Sequence, residues 1–218
     1  RIYNKTLEDE FYDTLILLVQ SQRGYRNLVK LVSKSFLETP SEKKPHIEFS
    51  DLFDHSEGLL ALTGGTDGAI GKLLAEGQTE FVDLMLKELM SLFPERLYIE
   101  LTRHGLPLED QIDALLIELA FSHDIPLVAT NNCHFSDESM FEAHDALLCI
   151  AQNAHIDEEG RHRLTLLHGF RTETEMRSVF SDVPEAIDNT VVIAKRCAFM
   201  PEEHSPMLPA FPTVEGKS

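Results

Sequence analysis

A chain of 218 residues is long enough to bury a real core, and its 19 basic against 37 acidic residues, a formal charge of −18, exclude an unaided grip on nucleic acid, which needs clustered Lys and Arg against phosphates. Apolar residues make up 43% without a run of membrane-spanning length, and the start, Arg1-Ile2-Tyr3-Asn4, has no apolar signal-peptide region. The three cysteines, Cys133, Cys149 and Cys197, are scattered and odd in number, which suits a reducing cytoplasm and no disulfide framework. There is no initiator Met, so a piece of a longer protein is expected.

Thr14–Val19 (TLILLV) reads as a strand, ended by the turn at Gly24. Leu28, Leu31, Val32 and Phe36 then recur at helical spacing, which predicts an amphipathic helix over Tyr25–Leu37 with those residues inward. A loop covers 39–45, Ser50 is placed to cap a short helix at Asp51–His55, and Leu59–Leu62 is a second strand. The turn 63–68 (TGGTDG) opens onto a helix, Ala69–Glu76. A glycine-rich turn there can cradle a phosphate, but it has neither a Gly-Lys-Ser/Thr ending nor a complete GxGxxG, and a tight strand-to-helix turn is the default.

Thr79–Phe93 is a long helix with Phe81, Leu84, Met85, Leu89 and Leu92 expected inside, and Pro94 stops it. Met85 and Met90 read as core fillers. Leu97–Leu101 is a third strand carrying Glu100, followed by the loop Thr102-Arg103-His104-Gly105. The helix Glu109–His123 places Ile112, Leu115, Leu116 and Leu119 on its buried face. The short apolar run 126–129 is a fourth, buried strand. Ser136–Gln152 is helical, with Phe141, Ala143, Leu147, Leu148 and Ile150 as its apolar set and His144 as a half-buried structural histidine. A charged loop, 157–163 (DEEGRHR), precedes the capping box Thr172-x-x-Glu175 and its helix Glu173–Phe180. Pro184–Cys197 is the last helix, and 201–218, with Pro201, Pro206, Pro209 and Pro212, reads as an extended linker. Four alternations of strand and helix predict βα units, right-handed crossovers and a parallel sheet.

The chemistry gathers after the fourth strand. Thr130-Asn131-Asn132-Cys133-His134 are five residues that hydrogen-bond or ligate, and the carboxyl end of a buried strand is where α/β folds keep their sites. Asn132-x-His134 aims two side chains at one spot; the plain alternative is a polar turn into the next helix. A polynuclear metal centre would draw on Glu100, His104, Asn132 and His134, a set short of anionic ligands, with Asn132 a poor donor where Asp would be a good one. Cys133 and His134 point opposite ways on extended backbone, which disfavours a shared zinc. A Cys133–His134 nucleophile pair lacks a positioned third group, and no Gly-x-Ser-x-Gly occurs. Spacing alone therefore gives a soluble α/β domain with a degenerate ligand set.

Five stretches in order carry a likeness to a known family: 24–33 (GYRNLVKLVS), 58–65 (GLLALTGG), 97–105 (LYIELTRHG), 127–135 (LVATNNCHF) and 142–150 (EAHDALLCI), with 193–197 (IAKRC) and 208–212 (LPAFP) as its exit. Together they resemble the PHP (polymerase and histidinol phosphatase) domain of bacterial replicative DNA polymerase III alpha subunits, over nearly the whole chain.

The resemblance implies a distorted, TIM-like (βα)7 PHP barrel present in part. Its first strands, with a His-x-His motif, would lie upstream of Arg1. Residues 1–200 would be the PHP domain, and 201–218 the linker toward a polymerase palm downstream. The family's metal ligands fall at Thr14 in place of His, Gly65 in place of Cys, Asn132 in place of Asp, and His134, which alone keeps the ligand type. These are vestigial positions, so no metal and no catalytic residue is expected here, with Glu100, His104 and Cys133 as pocket-lining candidates.

The implied function is a metal-free scaffold of a DNA-directed DNA polymerase in the cytoplasm. It would dock the proofreading exonuclease subunit and meet other holoenzyme subunits. Mg2+, DNA and dNTPs would belong to the downstream domains of the parent, and no membrane would be involved. The alternatives are an active metal-dependent 3′-5′ exonuclease or phosphoesterase, and an unrelated α/β hydrolase using Cys133 and His134. A barrel short of its first strands would expose an open edge, and self-association or a rearranged edge is expected from it.

Overall fold

The computed structural model describes residues 2–4, 11–203 and 205–206. Most of the expected linker lies outside the described residues; its described part, with Pro201 and Pro206, has no regular structure.

The elements follow in the order β1 (Ile2–Asn4), β2 (Phe11–Asp13), β3 (Ile16–Val19), α1 (Gln22–Leu37), β4 (Ile47–Glu48), α2 (Asp51–His55), β5 (Leu59–Leu62), α3 (Ala69–Ala75), α4 (Thr79–Leu92), β6 (Leu97–Leu101), α5 (Pro107–Ser122), β7 (Leu127–Ala129), α6 (Phe141–Gln152), α7 (Glu173–Val179) and α8 (Pro184–Arg196). Short 3-10 turns at Gly65–Asp67, Glu138–Met140 and Leu166–His168 join them. The main sheet has four strands in the order β3-β5-β6-β7. Its register pairs Leu62 with Tyr98 and Glu100 with Val128.

The sheet is parallel over β5, β6 and β7, but β3 runs antiparallel to β5, with Val19 opposite Leu59. That corrects the expectation of a wholly parallel sheet. The α1–β4–α2 excursion leaves and re-enters at one end of the sheet, where the Gln20 amide donates to Gly58 O at 2.9 Å. A short apolar run such as that of β3 reads the same in either direction, so the sequence carries no sign of this reversal. A second, three-stranded sheet, β2-β1-β4, was not expected at all; its strands are two or three residues long, too short for periodicity to register. The described strands form these two sheets, with helices between the strands.

Alternate residues of the strands feed two apolar layers. Leu59, Ala61, Ile99 and Leu101 face the large core under α3, α4 and α5, with Ile70, Leu86, Phe93 and Ile112. Leu60, Leu62, Tyr98 and Val128 face the other way, with Ile193 of α8. The β7 edge is covered by α8, whose Asn189 Nδ2 donates to Leu127 O at 2.8 Å.

Several helices bury a different face from the one expected. On α1, Gly24, Asn27 and Leu31 are buried while Val32 and Phe36 face solvent. A Cβ at Gly24 would lie 1.9 Å from Gly58 O, and Asn27 Nδ2 donates to Glu57 O at 2.8 Å, so a small residue and a polar one set this helix against β5. On α4 the inward residues are Val82, Leu86, Leu89 and Leu92, with Phe81 and Leu84 outside. On α5, Leu115 is exposed and Ala120 takes the inward place. On α6, Leu147 and Ile150 are exposed, while Asp145 and Cys149 are buried. Asp145 is clasped by Arg161 through two 2.6 Å bonds, which draws the charged 157–163 loop onto the helix. Ser50 caps nothing, because its own backbone is already helical. The Thr172–Glu175 capping box forms as expected.

Candidate functional site

Past the carboxyl ends of β5, β6 and β7 lies a cleft of about 720 Å³. Its walls include Thr14, Glu100, His104, Asn131, Asn132 and His134, with His168 contributed from the loop between α6 and α7. Parallel strands bring these residues together because each runs its polar continuation out at the same end of the sheet.

Glu100, buried in mid-sheet, is the first tie across the strand ends. Its Oε2 accepts from Gly64 N after β5 at 3.1 Å, and its Oε1 accepts from Thr130 Oγ1 after β7 at 2.6 Å. Burial pushes this carboxyl above the ordinary range, and the bonds from Thr130 and Gly64 partly offset it.

His104, also buried, is the second tie. Its Nδ1 lies 2.7 Å from Glu109 Oε1, and its backbone N–H donates to Glu109 Oε2 at 2.5 Å. Its Nε2 lies 3.0 Å from Asn131 Oδ1, and Asn131 Nδ2 donates to Gly169 O at 2.8 Å. Burial raises the Glu109 carboxyl, but the bonds from the side chain and backbone of His104 outweigh it and leave the group below its usual range. The His168 ring stacks on His104 at 4.0 Å between centroids. Desolvation, then the neighbouring His104, lowers the His168 pKa to about 4, so the ring is neutral near pH 7, and its Nδ1 accepts from Thr165 N at 3.2 Å.

His134 stands nearby, its ring centroid 5.5 Å from His144 and 6.1 Å from His168. Desolvation first, then His144, lowers its pKa as well. Thr14, Asn132 and His134 line the cleft, and Gly65 is buried in the 3-10 turn beside it, in left-handed backbone at φ 54°. Glu100 and His104 also line the cleft; Cys133 does not, and faces solvent, as alternation along extended backbone requires. Thr130 and Asn131, from the polar stretch after β7, carry the network together with Glu109 and His168, which no sequence motif marks: Glu109 only opens the expected helix Glu109–His123, and His168 stands outside every expected element.

The donor set does not fit a metal cluster. At the two positions where the resemblance implies His and Cys ligands, the chain has Thr14 and Gly65, and Gly65 has no side chain to offer. Both Glu100 oxygens and both His104 nitrogens are engaged by protein partners. Among the described residues, no three His, Cys, Asp or Glu side chains converge as a metal site requires.

A model of the PHP-domain family matches residues 3–104. Among curated proteins, the chain is 44% identical over 205 residues to the DNA polymerase III subunit alpha of Caulobacter vibrioides, covering 94% of this chain and 18% of that protein. The chain belongs to the PHP region of the DNA polymerase III alpha-subunit family. The PHP region is also 39% identical over 216 residues to the subunit of Rickettsia bellii, and 36% identical over 210 residues to that of Pseudomonas aeruginosa. These alignments cover 98% and 96% of the chain and 18% of each relative, so the PHP region spans less than a fifth of the relatives it matches. Among the described residues, no helix is long and apolar enough to cross a membrane.

Proposed function

We propose that this PHP region is a metal-free scaffold within a DNA-directed DNA polymerase, and that it docks the proofreading exonuclease rather than hydrolysing phosphoesters itself. The four-stranded sheet would be one arc of the family's distorted (βα)7 barrel. The observation that carries the reading is the use of the would-be ligands as structural ties: Glu100 joins Gly64 to Thr130, and His104 joins Glu109 to Asn131. Each ring nitrogen of His104 must give up a protein partner before it can ligate, and a carboxylate oxygen, which keeps a second lone pair, makes no site by itself; a site short of ligands gains too little to drive the exchange. The polymerase chemistry, with its Mg2+, DNA and dNTPs, would reside in the other domains of the parent. An acidic region such as this one repels the phosphate backbone.

The test is elemental analysis of the purified full-length alpha subunit, together with release of 3′-terminal nucleotides from labelled single-stranded DNA. The expected result is no stoichiometric transition metal and no nuclease. Two or more tightly bound metals with nucleotide release would establish the active exonuclease instead. Docking is read separately, by gel filtration of the alpha subunit with the exonuclease subunit of the same organism; co-elution is expected.

A further inference from the structure

The segment that sends His168 into the cleft turns Leu166, Leu167 and Phe170 the other way. All three are exposed, Phe170 at 68%. Yet the backbone that carries them is firmly held. His134 N donates to His168 O at 2.8 Å, Phe170 N to Phe135 O at 2.9 Å, and Asn131 Nδ2 to Gly169 O at 2.8 Å. Thr165 Oγ1 donates to His104 O at 2.7 Å. The apolar side chains are thus presented by a fixed platform, and a partner that covers them loses little ordering entropy on the protein side.

They line a groove of about 970 Å³, bounded by the first turns of α5 and α7 and by the turn at Ser136–Glu138. Its rim is acidic: Asp110, Asp137, Glu138 and Glu175 all border it. The two arginines that line it are already committed. Arg103 is bound by Asp113 and Asp182 at 2.8 and 2.6 Å, and Arg171 Nη2 donates to Arg103 O at 3.1 Å. An apolar floor inside an unbalanced acidic rim complements one kind of chain, a segment with apolar anchors flanked by Lys or Arg.

We propose that this groove is a docking surface for a cationic, amphipathic segment of a partner protein, whose apolar side chains rest on Leu167 and Phe170 and whose cations meet Asp110, Asp137 and Glu138. The proposal rests on the scaffold reading and gives it a location and a partner chemistry.

The test uses the full-length alpha subunit and a fluorescein-labelled amphipathic leucine–lysine peptide, followed by anisotropy, with a leucine–glutamate peptide of the same pattern as its control. The variant is Leu167→Ser with Phe170→Ser, which leaves the net charge untouched. Phe36→Ser on α1, an equally exposed aromatic at 67%, controls for general stickiness. Expected is binding of the lysine peptide to the wild type and to Phe36→Ser alike, a loss of about tenfold or more in the double variant, and no binding of the glutamate peptide. Equal affinity across all three proteins, or no binding at all, would overturn the proposal.

Gel filtration with the exonuclease subunit separates the two readings. If the double variant loses a complex that the wild type forms, the groove is the dock. If it keeps the complex, the groove proposal falls and the scaffold reading stands. If the wild type forms no complex, the scaffold reading falls and the peptide titration alone decides the groove.

Discussion

Glu109→Gln is the sharpest probe of the ties that hold the cleft. The Glu109 carboxylate is buried and accepts from His104 N at 2.5 Å, from His104 Nδ1 at 2.7 Å and from Leu106 N at 3.4 Å. Glutamine keeps the volume but replaces one oxygen with an NH2 group that faces N–H donors, and it removes the charge. A hydrogen bond to a charged group is worth about 1.5–3 kcal/mol, so a loss of about 2–3 kcal/mol is expected. In a chain of this size that lowers Tm by roughly 5–10 °C, read by calorimetry.

The pH dependence fixes the cause. The folded-state pKa of Glu109 lies below its ordinary value, so its stabilisation is complete above the ordinary carboxylate range and is lost as pH falls through the lowered value. The Tm gap between wild type and variant should therefore be widest near neutral pH and should close below about pH 4. A gap under about 1 °C at neutral pH, against the magnitude above, would refute the reasoning. So would a gap that persists unchanged to the acid limit of folding.

His168, its pKa lowered to about 4 from the 6.5 of the free ring, resists a proton that the unfolded chain accepts. Stability should fall by about 1.6 kcal/mol between pH 6.5 and 5, with a slope that approaches about 1.4 kcal/mol per unit below pH 6, and urea midpoints of His168→Gln should show a shallower fall; parallel curves would count against it. Gly24→Ala places a Cβ 1.9 Å from Gly58 O and should lower stability by about 1–3 kcal/mol in thermal melts followed by circular dichroism. Iodoacetamide mapped by mass spectrometry should label the exposed Cys133 first, then Cys197, whose thiol pKa is raised by burial, and Cys149 only on unfolding. Gly65→Cys, which returns the family's ligand type, must adopt φ 54° with its Cβ 3.3 Å from Thr102 Oγ1; it should cost about 1–2 kcal/mol in urea titration and restore no metal binding by elemental analysis.

The strands at Leu59–Leu62 and Leu97–Leu101 were legible to the residue, because short apolar runs between turns leave little choice of boundary. The helix faces were less so. Val32 and Phe36 of α1 have the right spacing to point inward, but the close approach of Gly24 to Gly58 rotates the helix the other way. Likewise Asp145 is buried on α6 only because Arg161, in a loop that reads as solvent-exposed charge, reaches back to pair with it. At the cleft, the stretch 130–134 announced a polar strand end. Nothing local announced that Glu109 and His168 would close on His104 from a helix start and from a distant loop. Such pairings are fixed by tertiary geometry and leave no periodicity behind.

The two ties show how such a cleft is held without an ion. A metal cluster at strand ends holds the loops after several strands at fixed distances. Glu100 does the same work between the loops after β5 and β7, through Gly64 and Thr130, while sitting on β6 itself. His104 and Asn131 extend the bridge to Gly169, and so fix the segment whose other face presents Leu167 and Phe170. On the scaffold reading these hydrogen bonds serve as the mechanical element, and the rigidity they provide is passed outward to the proposed docking surface. A disturbance at His104 should then weaken partner binding at the groove as well as stability, although its side chain is not part of the groove's lining.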